Sequence, residues 1–338
     1  MLGKNILKLG VSILSIGALL STLFIPVNAA PSWKLIWNDE FDGSSINKSN
    51  WTYDIGGNGW GNNELEYYTN RSENSRVEEG NLVIEARKEA YSGMNYTSAR
   101  MKTQGLQTFT YGKVEAKMKL PAGQGIWPAF WMLGSNIVDV SWPKCGEIDI
   151  MEHINNETVS HGTIHWDLDG HQYYGGPTPN IDVTQYHTYG IEWDDKAIKW
   201  FIDGTKYWEA NIENNINGTD EFHKPFFVIL NLAVGGQWPG NPDGNTTFPA
   251  KMYVDYVRVY QQDAGTPTVK YGDLNGDNTV NSTDYALIKR YLLGSITSFP
   301  SANGAKAADV NGDGNINSAD LAFIKRYILN IISKFPLE

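Results

Sequence analysis

Gly146-Glu147-Ile148-Asp149-Ile150-Met151-Glu152 alternates acidic and aliphatic side chains through Ile150 and then breaks step, with two apolar residues in a row before the last acid. Alternation at period two is the pattern of a β-strand with distinct faces. On a regular strand Glu147, Asp149 and Met151 share one face and Glu152 lies on the other. One extra residue, a β-bulge at Ile150-Met151, returns Glu152 to the face of Glu147, and bulges commonly re-aim side chains beside active sites. Working outward, Leu82–Ala86, Gly112–Met118, Tyr189–Trp193 and Ile198–Ile202 are short β-rich runs punctuated by Gly, Asn and Pro. Trp193-Asp194-Asp195-Lys196 and Ile202-Asp203-Gly204-Thr205 read as hairpin connections, the second with an Asp-Gly pair suited to positive φ. No long stretch between Trp33 and Gln261 has helical periodicity, so this region reads as an all-β sandwich or barrel.

The chain of 338 residues is long enough for two or three domains. Apolar residues make up 41% and charged residues 19%, with a mean hydropathy of −0.38, a globular profile. Its net charge of −11 argues against broad attraction to nucleic acid or to an anionic membrane. The 42 aromatic residues offer ring faces for stacking on a neutral ligand. One cysteine, Cys145, excludes an internal disulfide; with no partner for a nucleophilic thiol it reads as a small buried residue. At the N-terminus Lys4 and Lys8 precede an apolar run from Leu9 to Ile25, and Val27-Asn28-Ala29 supplies small residues for cleavage. Residues 1–29 therefore read as a secretory signal peptide, with an uncleaved anchor as the alternative; Gly and Ser residues dilute the run.

After a small polar linker, residues 263–270, the pattern changes to a duplicated unit with an offset of 36 residues. Asp273, Asn275, Asp277, Thr279, Asn281 and Asp284 occupy positions 1, 3, 5, 7, 9 and 12 of an EF-hand-like loop, and Asp309, Asn311, Asp313, Asn315, Asn317 and Asp320 repeat them. Two in-phase copies predict two Ca2+ ions, each loop leading into a helix. The small size of this unit and its lack of a disulfide make metal binding an expected condition for folding. Loop spacing, duplication and the Lys-Arg pair in each helix make residues 271–338 resemble type I dockerins, the modules that attach cellulosomal enzymes to cohesins of a scaffoldin. The resemblance implies a cohesin partner contacted by Ser282 and Thr283, and by Ser318 and Ala319, with Lys289, Arg290, Lys325 and Arg326 nearby. Ala319 lacks the hydroxyl of the first copy, which implies unequal faces.

Two carboxylates flanking a glycosidic bond, one as nucleophile or base and one as proton donor, are the usual equipment of a glycosidase, and a third acid between them pushes the working pKa values apart. The Glu147–Glu152 stretch, Gly125-Ile126-Trp127-Pro128-Ala129-Phe130-Trp131-Met132-Leu133, Trp37-Asn38-Asp39-Glu40-Phe41-Asp42-Gly43 and Asn231-Leu232-Ala233-Val234-Gly235-Gly236 together resemble glycoside hydrolase family 16, and the extra Met151 resembles its laminarinase branch. For residues 30–262 that resemblance implies an all-β jelly-roll sandwich with an open cleft. It further implies retaining endo-β-1,3-glucanase chemistry, with Glu147 as nucleophile, Glu152 as general acid/base and Asp149 as assistant. Lichenases lack the extra residue, so the resemblance speaks against strict mixed-linkage specificity. Mixed-linkage glucanase, agarase or transglycosylase activity, and a non-catalytic β-glucan-binding module, are the alternatives. Sugar-stacking candidates are Trp142 and Trp127, followed by Trp131, Trp60 and Trp238; Arg100 and His165 follow the family's pattern near the cleaved sugar. The resemblance also implies a structural calcium on the convex side, held by Glu40, the carbonyl of Gly80 and Asp255. No cofactor is implied for the chemistry, and a monomeric, extracellular, cellulosome-associated enzyme is expected.

Overall fold

The computed structural model describes residues 32–263 and 269–337. The proposed signal peptide and the middle of the linker lie outside these residues. The strands of the first region are β1 (Ser32–Asp39), β2 (Thr52–Asp54), β3 (Glu66–Tyr68), β4 (Ser75–Glu78), β5 (Asn81–Tyr91), β6 (Met94–Ser98), β7 (Arg100–Lys102), β8 (Gly112–Lys119), β9 (Ile126–Gly134), β10 (Glu147–Glu152), β11 (His161–Asp167), β12 (His171–Pro177), β13 (His187–Trp193), β14 (Ala197–Ile202), β15 (Thr205–Asn211), β16 (Phe226–Val234) and β17 (Ala250–Asp263). They form two sheets. One runs β15-β14-β13-β8-β17-β5-β6-β3, with β1 also on β17 and β4 also on β5; the other runs β12-β11-β10-β9-β16-β7-β2. Pairing is antiparallel throughout except for β3 with β6. The sheets stack as a sandwich: Val114, Ala116 and Met118 of β8 and Leu82 and Ile84 of β5 share one buried cluster with Phe130 and Met132 of β9, Ile148 of β10 and Ile164 of β11.

The hairpin expectations hold. β14 and β15 are joined by Asp203 and Gly204 at φ 48° and 76°, the two positive values that a type I′ turn requires. The alternation in β11 is matched by alternating burial, as a half-buried strand demands. β16 instead is buried at all nine positions. Its inward face joins the sandwich core, while Phe227 and Ile229 pack with Leu133 and Cys145 in a second small cluster. The cysteine is fully buried and its thiol is pushed up to about 11, chiefly by burial and then by the charge of Glu147.

The C-terminal region is helical. α2 (Ser282–Leu292) and α4 (Ser318–Ile328) pack on each other, with the short α3 (Gly304–Ala308) between them in sequence; α1 (Ile137–Val140) belongs to the sandwich region. Leu274, Leu287, Ile288, Val310, Ile324 and Phe335 form a separate core. Asn281 and Asn317 cap the two long helices, each in a reciprocal capping box with the acid three residues on, Asp284 or Asp320. The duplication is thus structural as well as sequential. Among the described residues no helix is long and apolar enough to cross a membrane.

Candidate active site

The break in alternation in β10 is a bulge. Against β9, Asp149 pairs with Trp131 and Met151 with Phe130, leaving Ile150 as the extra residue. Against β11, Asp149 pairs with Thr163 and Glu152 with His161, so Ile150 and Met151 together face Gly162. Two core contacts hold this kink. The Trp200 indole Nε1–H donates to the Asp149 carbonyl at 2.8 Å, and a Cβ on Gly162 would sit 2.4 Å from the Trp200 ring, so only glycine fits opposite the bulge. At the strand's entrance Gly146 takes φ 76°, and a Cβ there would meet the Glu221 side chain at 2.8 Å and the Phe226 ring at 3.0 Å.

Glu147, Asp149 and Glu152 consequently line one cavity of about 390 Å³ together with Trp60, Trp127, Trp131, Trp142 and Arg100. The Trp142 Nε1–H donates to Glu147 Oε2 at 3.0 Å, and the Trp127 Nε1–H donates to Glu152 Oε1, also at 3.0 Å. Each outer acid thereby has one oxygen anchored by an indole. His165 Nε2 lies 3.2 Å from Asp149 Oδ2 and 3.9 Å from Glu147 Oε1. Burial is the largest influence on all three acids. It pushes Glu147 up to about 8, helped by the charge of Asp149 and opposed by His165, Arg100 and the Trp142 hydrogen bond. It pushes Asp149 to about 8 as well, against a hydrogen bond with Glu147. Glu152 is raised well above the ordinary carboxylate range by burial and by the charges of Asp149 and Glu147. The arrangement suits proton donation at Glu152 and a shared proton between Glu147 and Asp149.

The other sequence candidates separate. Arg100 lies between the rings of Trp131 and Trp60, at 4.7 and 5.1 Å, with Nε 3.0 Å from Asp54 Oδ2. Trp142 is 45% exposed, as a ring offered to a ligand should be. Trp238 is outside the cavity lining but packs edge-on to Trp127 at 5.6 Å. His153, next to Glu152 in sequence, is fully buried with Nδ1 on the Val159 carbonyl, a structural role. Of the residues expected to hold a convex-side calcium, Glu40 accepts from Arg258 with both oxygens at 2.8 and 2.7 Å, Asp255 Oδ2 sits 2.7 Å from Lys117 Nζ, and Gly80 lies in the turn between β4 and β5. Sequence reasoning passed over Glu64, which lines the cavity and accepts from the Tyr68 hydroxyl at 3.0 Å. It also assigned no role to Asn231, the one polar residue of β16, whose amide oxygen accepts from Trp131 Nε1 at 2.7 Å and whose Nδ2 donates to the Tyr68 hydroxyl at 3.1 Å. A single polar residue in an otherwise apolar run was the available signal.

In the C-terminal loops the acids face backbone N–H groups. Asp273 accepts from Gly276 and Asn278 at 2.8 Å each, and Asp284 accepts from Leu274 at 2.8 Å and Asn281 at 2.9 Å. Asp309 and Asp320 repeat the pattern with Gly312, Gly314, Val310 and Asn317. Asp284 and Asp320 are fully buried, and no cationic side chain is paired with either among the described residues. Such an all-oxygen set with buried anionic members fits a hard divalent cation. Ser282, Thr283, Ser318, Ala319, Lys289, Arg290, Lys325 and Arg326 are all exposed on α2 and α4.

Comparison with known proteins agrees with both regions. Residues 62–258 match Glycosyl hydrolases family 16, and residues 271–329 match the Dockerin type I domain. A beta-glucanase of Rhodothermus marinus is 45% identical over 247 residues, 69% of this chain and 86% of that protein. The clotting factor G alpha subunit of Tachypleus tridentatus is 47% identical over 251 residues, 73% of this chain, and the match spans 37% of its length. The X-ray structure of the endo-beta-1,3-glucanase from Pyrococcus furiosus superposes with a TM-score of 0.64 at 48% identity, covering 68% of this chain and 95% of that one. With the family match running over more than half of its length, the chain belongs to glycosyl hydrolase family 16 and carries a type I dockerin domain after its catalytic sandwich.

Proposed function

We propose that the chain is a secreted endo-β-1,3-glucanase of laminarinase type, cutting internal bonds with retention and carried on a cellulosome by its dockerin. The observation that carries the reading is the bulge that brings Glu152 onto the cleft face with Glu147 and Asp149. The similarity to the endo-beta-1,3-glucanase of Pyrococcus furiosus and to the glucan endo-1,3-beta-glucosidase A1 of Niallia circulans supports the substrate class. In this reading Glu147, oriented by Trp142, attacks the anomeric carbon while protonated Glu152 gives its proton to the leaving oxygen. Glu152, now a carboxylate, then takes a proton from the water that breaks the glycosyl-enzyme bond, which restores both acids. The Asp149–His165 pair takes up the proton that Glu147 must release before attack. The indoles of Trp142, Trp127 and Trp131 and the Arg100 guanidinium bind the glucose rings.

In the same proposal, Asp273, Asn275, Asp277, Thr279 and Asp284, and Asp309, Asn311, Asp313, Asn315 and Asp320, hold two calcium ions that order the loops. A cohesin docks on the exposed ends of α2 and α4. Residues 1–29 direct export. The test is the product profile of the mature chain on laminarin beside barley mixed-linkage glucan. Short β-1,3 oligosaccharides from laminarin support the reading; cleavage of mixed-linkage glucan alone replaces it with a lichenase specificity.

A further inference from the structure

His171 lies outside every motif of the sequence, yet it completes a closed ring of contacts around the catalytic acids. β11 and β12 form a hairpin closed by Leu168, Asp169 and Gly170, the last two at φ 52° and 121°. Its register sets His165 opposite Tyr173 and His171 opposite Asp167, so His171 is the diagonal neighbour of His165 on the cleft face. His165 Nδ1 and His171 Nε2 are 2.8 Å apart. The ring centroids are 5.1 Å apart with 23° between planes, which leaves the rings edge to edge, the geometry that an in-plane nitrogen lone pair needs. The opposite edge of His165 meets Asp149 Oδ2 at 3.2 Å. Trp142, whose Nε1–H holds Glu147, packs on the His171 ring at 4.6 Å. His171 itself is exposed, whereas Asp149 is buried.

We propose that His171 is a positioning residue of the cleft: by accepting the Nδ1 proton of His165 it lets that imidazole, rather than Glu147 or Asp149, carry the proton shared by the cluster, so that the nucleophile stays ionised. Two arrangements of the singly protonated cluster have the same composition. In one, the proton is on Asp149 and His165 is neutral. In the other, that proton has moved to His165 Nε2, 3.2 Å from Asp149 Oδ2, leaving Asp149 ionised beside a cationic imidazole. In both, the Nδ1–H of His165 donates to His171 Nε2, but only in the second is His165 a cation, and a charge-assisted hydrogen bond is the stronger one. His171 therefore favours the arrangement with both carboxylates free. Partial desolvation by the rings packed on it, and then the neighbouring His165, hold the His171 pKa down, which keeps its Nε2 lone pair available. The charged and titratable groups around the pair are Glu147, Asp149 and Glu152 on β10, Asp167 on β11, Asp169 in the turn, Tyr173 on β12 and, through Glu147, Arg100 on β7.

The inference rests on the reading of Glu147 as nucleophile, and the experiment separates the two. The pH profiles of kcat and KM on laminarin are measured for the full chain and for His171→Phe and His171→Gln. Phenylalanine keeps a flat ring against Trp142 and removes the acceptor; the glutamine side-chain carbonyl can accept the same bond. For His171→Phe the acid limb of kcat moves up by about one pH unit, roughly tenfold in rate below the limb, with KM unchanged. His171→Gln returns the limb toward the wild-type position. A His171→Phe profile that superimposes on wild type, a uniform loss without displacement of the limb, or a glutamine variant as displaced as the phenylalanine one overturns the proposal. An unmodified chain that releases no sugar from laminarin overturns the nucleophile reading instead, whatever His171 does.

Discussion

The bulged strand and the paired loops use the same chemical group, carboxylates clustered in a short segment, and drive it in opposite directions. On β10 the acids sit among Ile148, Ile150 and Met151, all buried, and burial lifts all three toward the protonated form. In the loops Asp277 is held below its ordinary range by hydrogen bonds from Thr279 and Asn275, and Asp313 by bonds from the Asn315 backbone and from Asn311. The difference is one of donors. A strand spends its N–H groups on its neighbours, so its side-chain carboxylates find few; a tight loop turns successive N–H groups inward onto the acids. The first arrangement suits proton transfer, and the second suits keeping negative charge for a cation.

The comparison is most exposed to a substitution that removes charge from each side. Glu147→Gln should reduce laminarin hydrolysis by at least about a thousandfold while polysaccharide binding persists, measured by reducing-sugar release and affinity electrophoresis. Retained turnover would show that the buried acid is not the nucleophile. Chelation should act only on the other region. A bound cation at a hundred times its dissociation constant contributes about 2.7 kcal/mol, so chelator should melt the helical signal of α2 and α4 and abolish cohesin capture, with glucanase activity within about twofold of the untreated enzyme. Loss of activity in step with the helices would break the division.

A finer test uses stability. Because the Asp149 pKa is raised in the folded chain to about 8, the native state holds the proton more tightly than the unfolded chain does. Stability tied to that proton is complete at low pH and is lost as pH climbs from the ordinary carboxylate range through about 8. Asp149→Asn should therefore stabilise the sandwich by about 1–2 kcal/mol at pH 8 and by much less at pH 4, in urea titrations read by tryptophan fluorescence. The smallest effect is expected for Trp142→Phe, which removes the 3.0 Å bond to Glu147 but keeps a ring, and should lower kcat about fivefold.

Much of this was legible in the chain itself. The break in alternation at Ile150-Met151 was enough to expect a bulge, and the 36-residue offset enough to expect two equivalent oxygen-rich loops, because strand faces and loop ligands are set by local spacing. Asp203-Gly204 likewise carried its turn in two residues. What was missed depended on groups far apart in sequence. Glu40 could not be known to lie on Arg258, 218 residues away, and Asn231 could not be known to anchor Trp131, 100 residues away. His171 carried no signal, since its role exists only through the register of one hairpin and the approach of Trp142 from another segment. The sequence by itself determined which residues can be acids, caps, turns and ligands, because those properties are chemical and local. The tertiary structure alone decided which carboxylates lose water and which meet a cation or an imidazole, because desolvation and pairing are properties of distance, and only folding brings distant strands within a few ångströms.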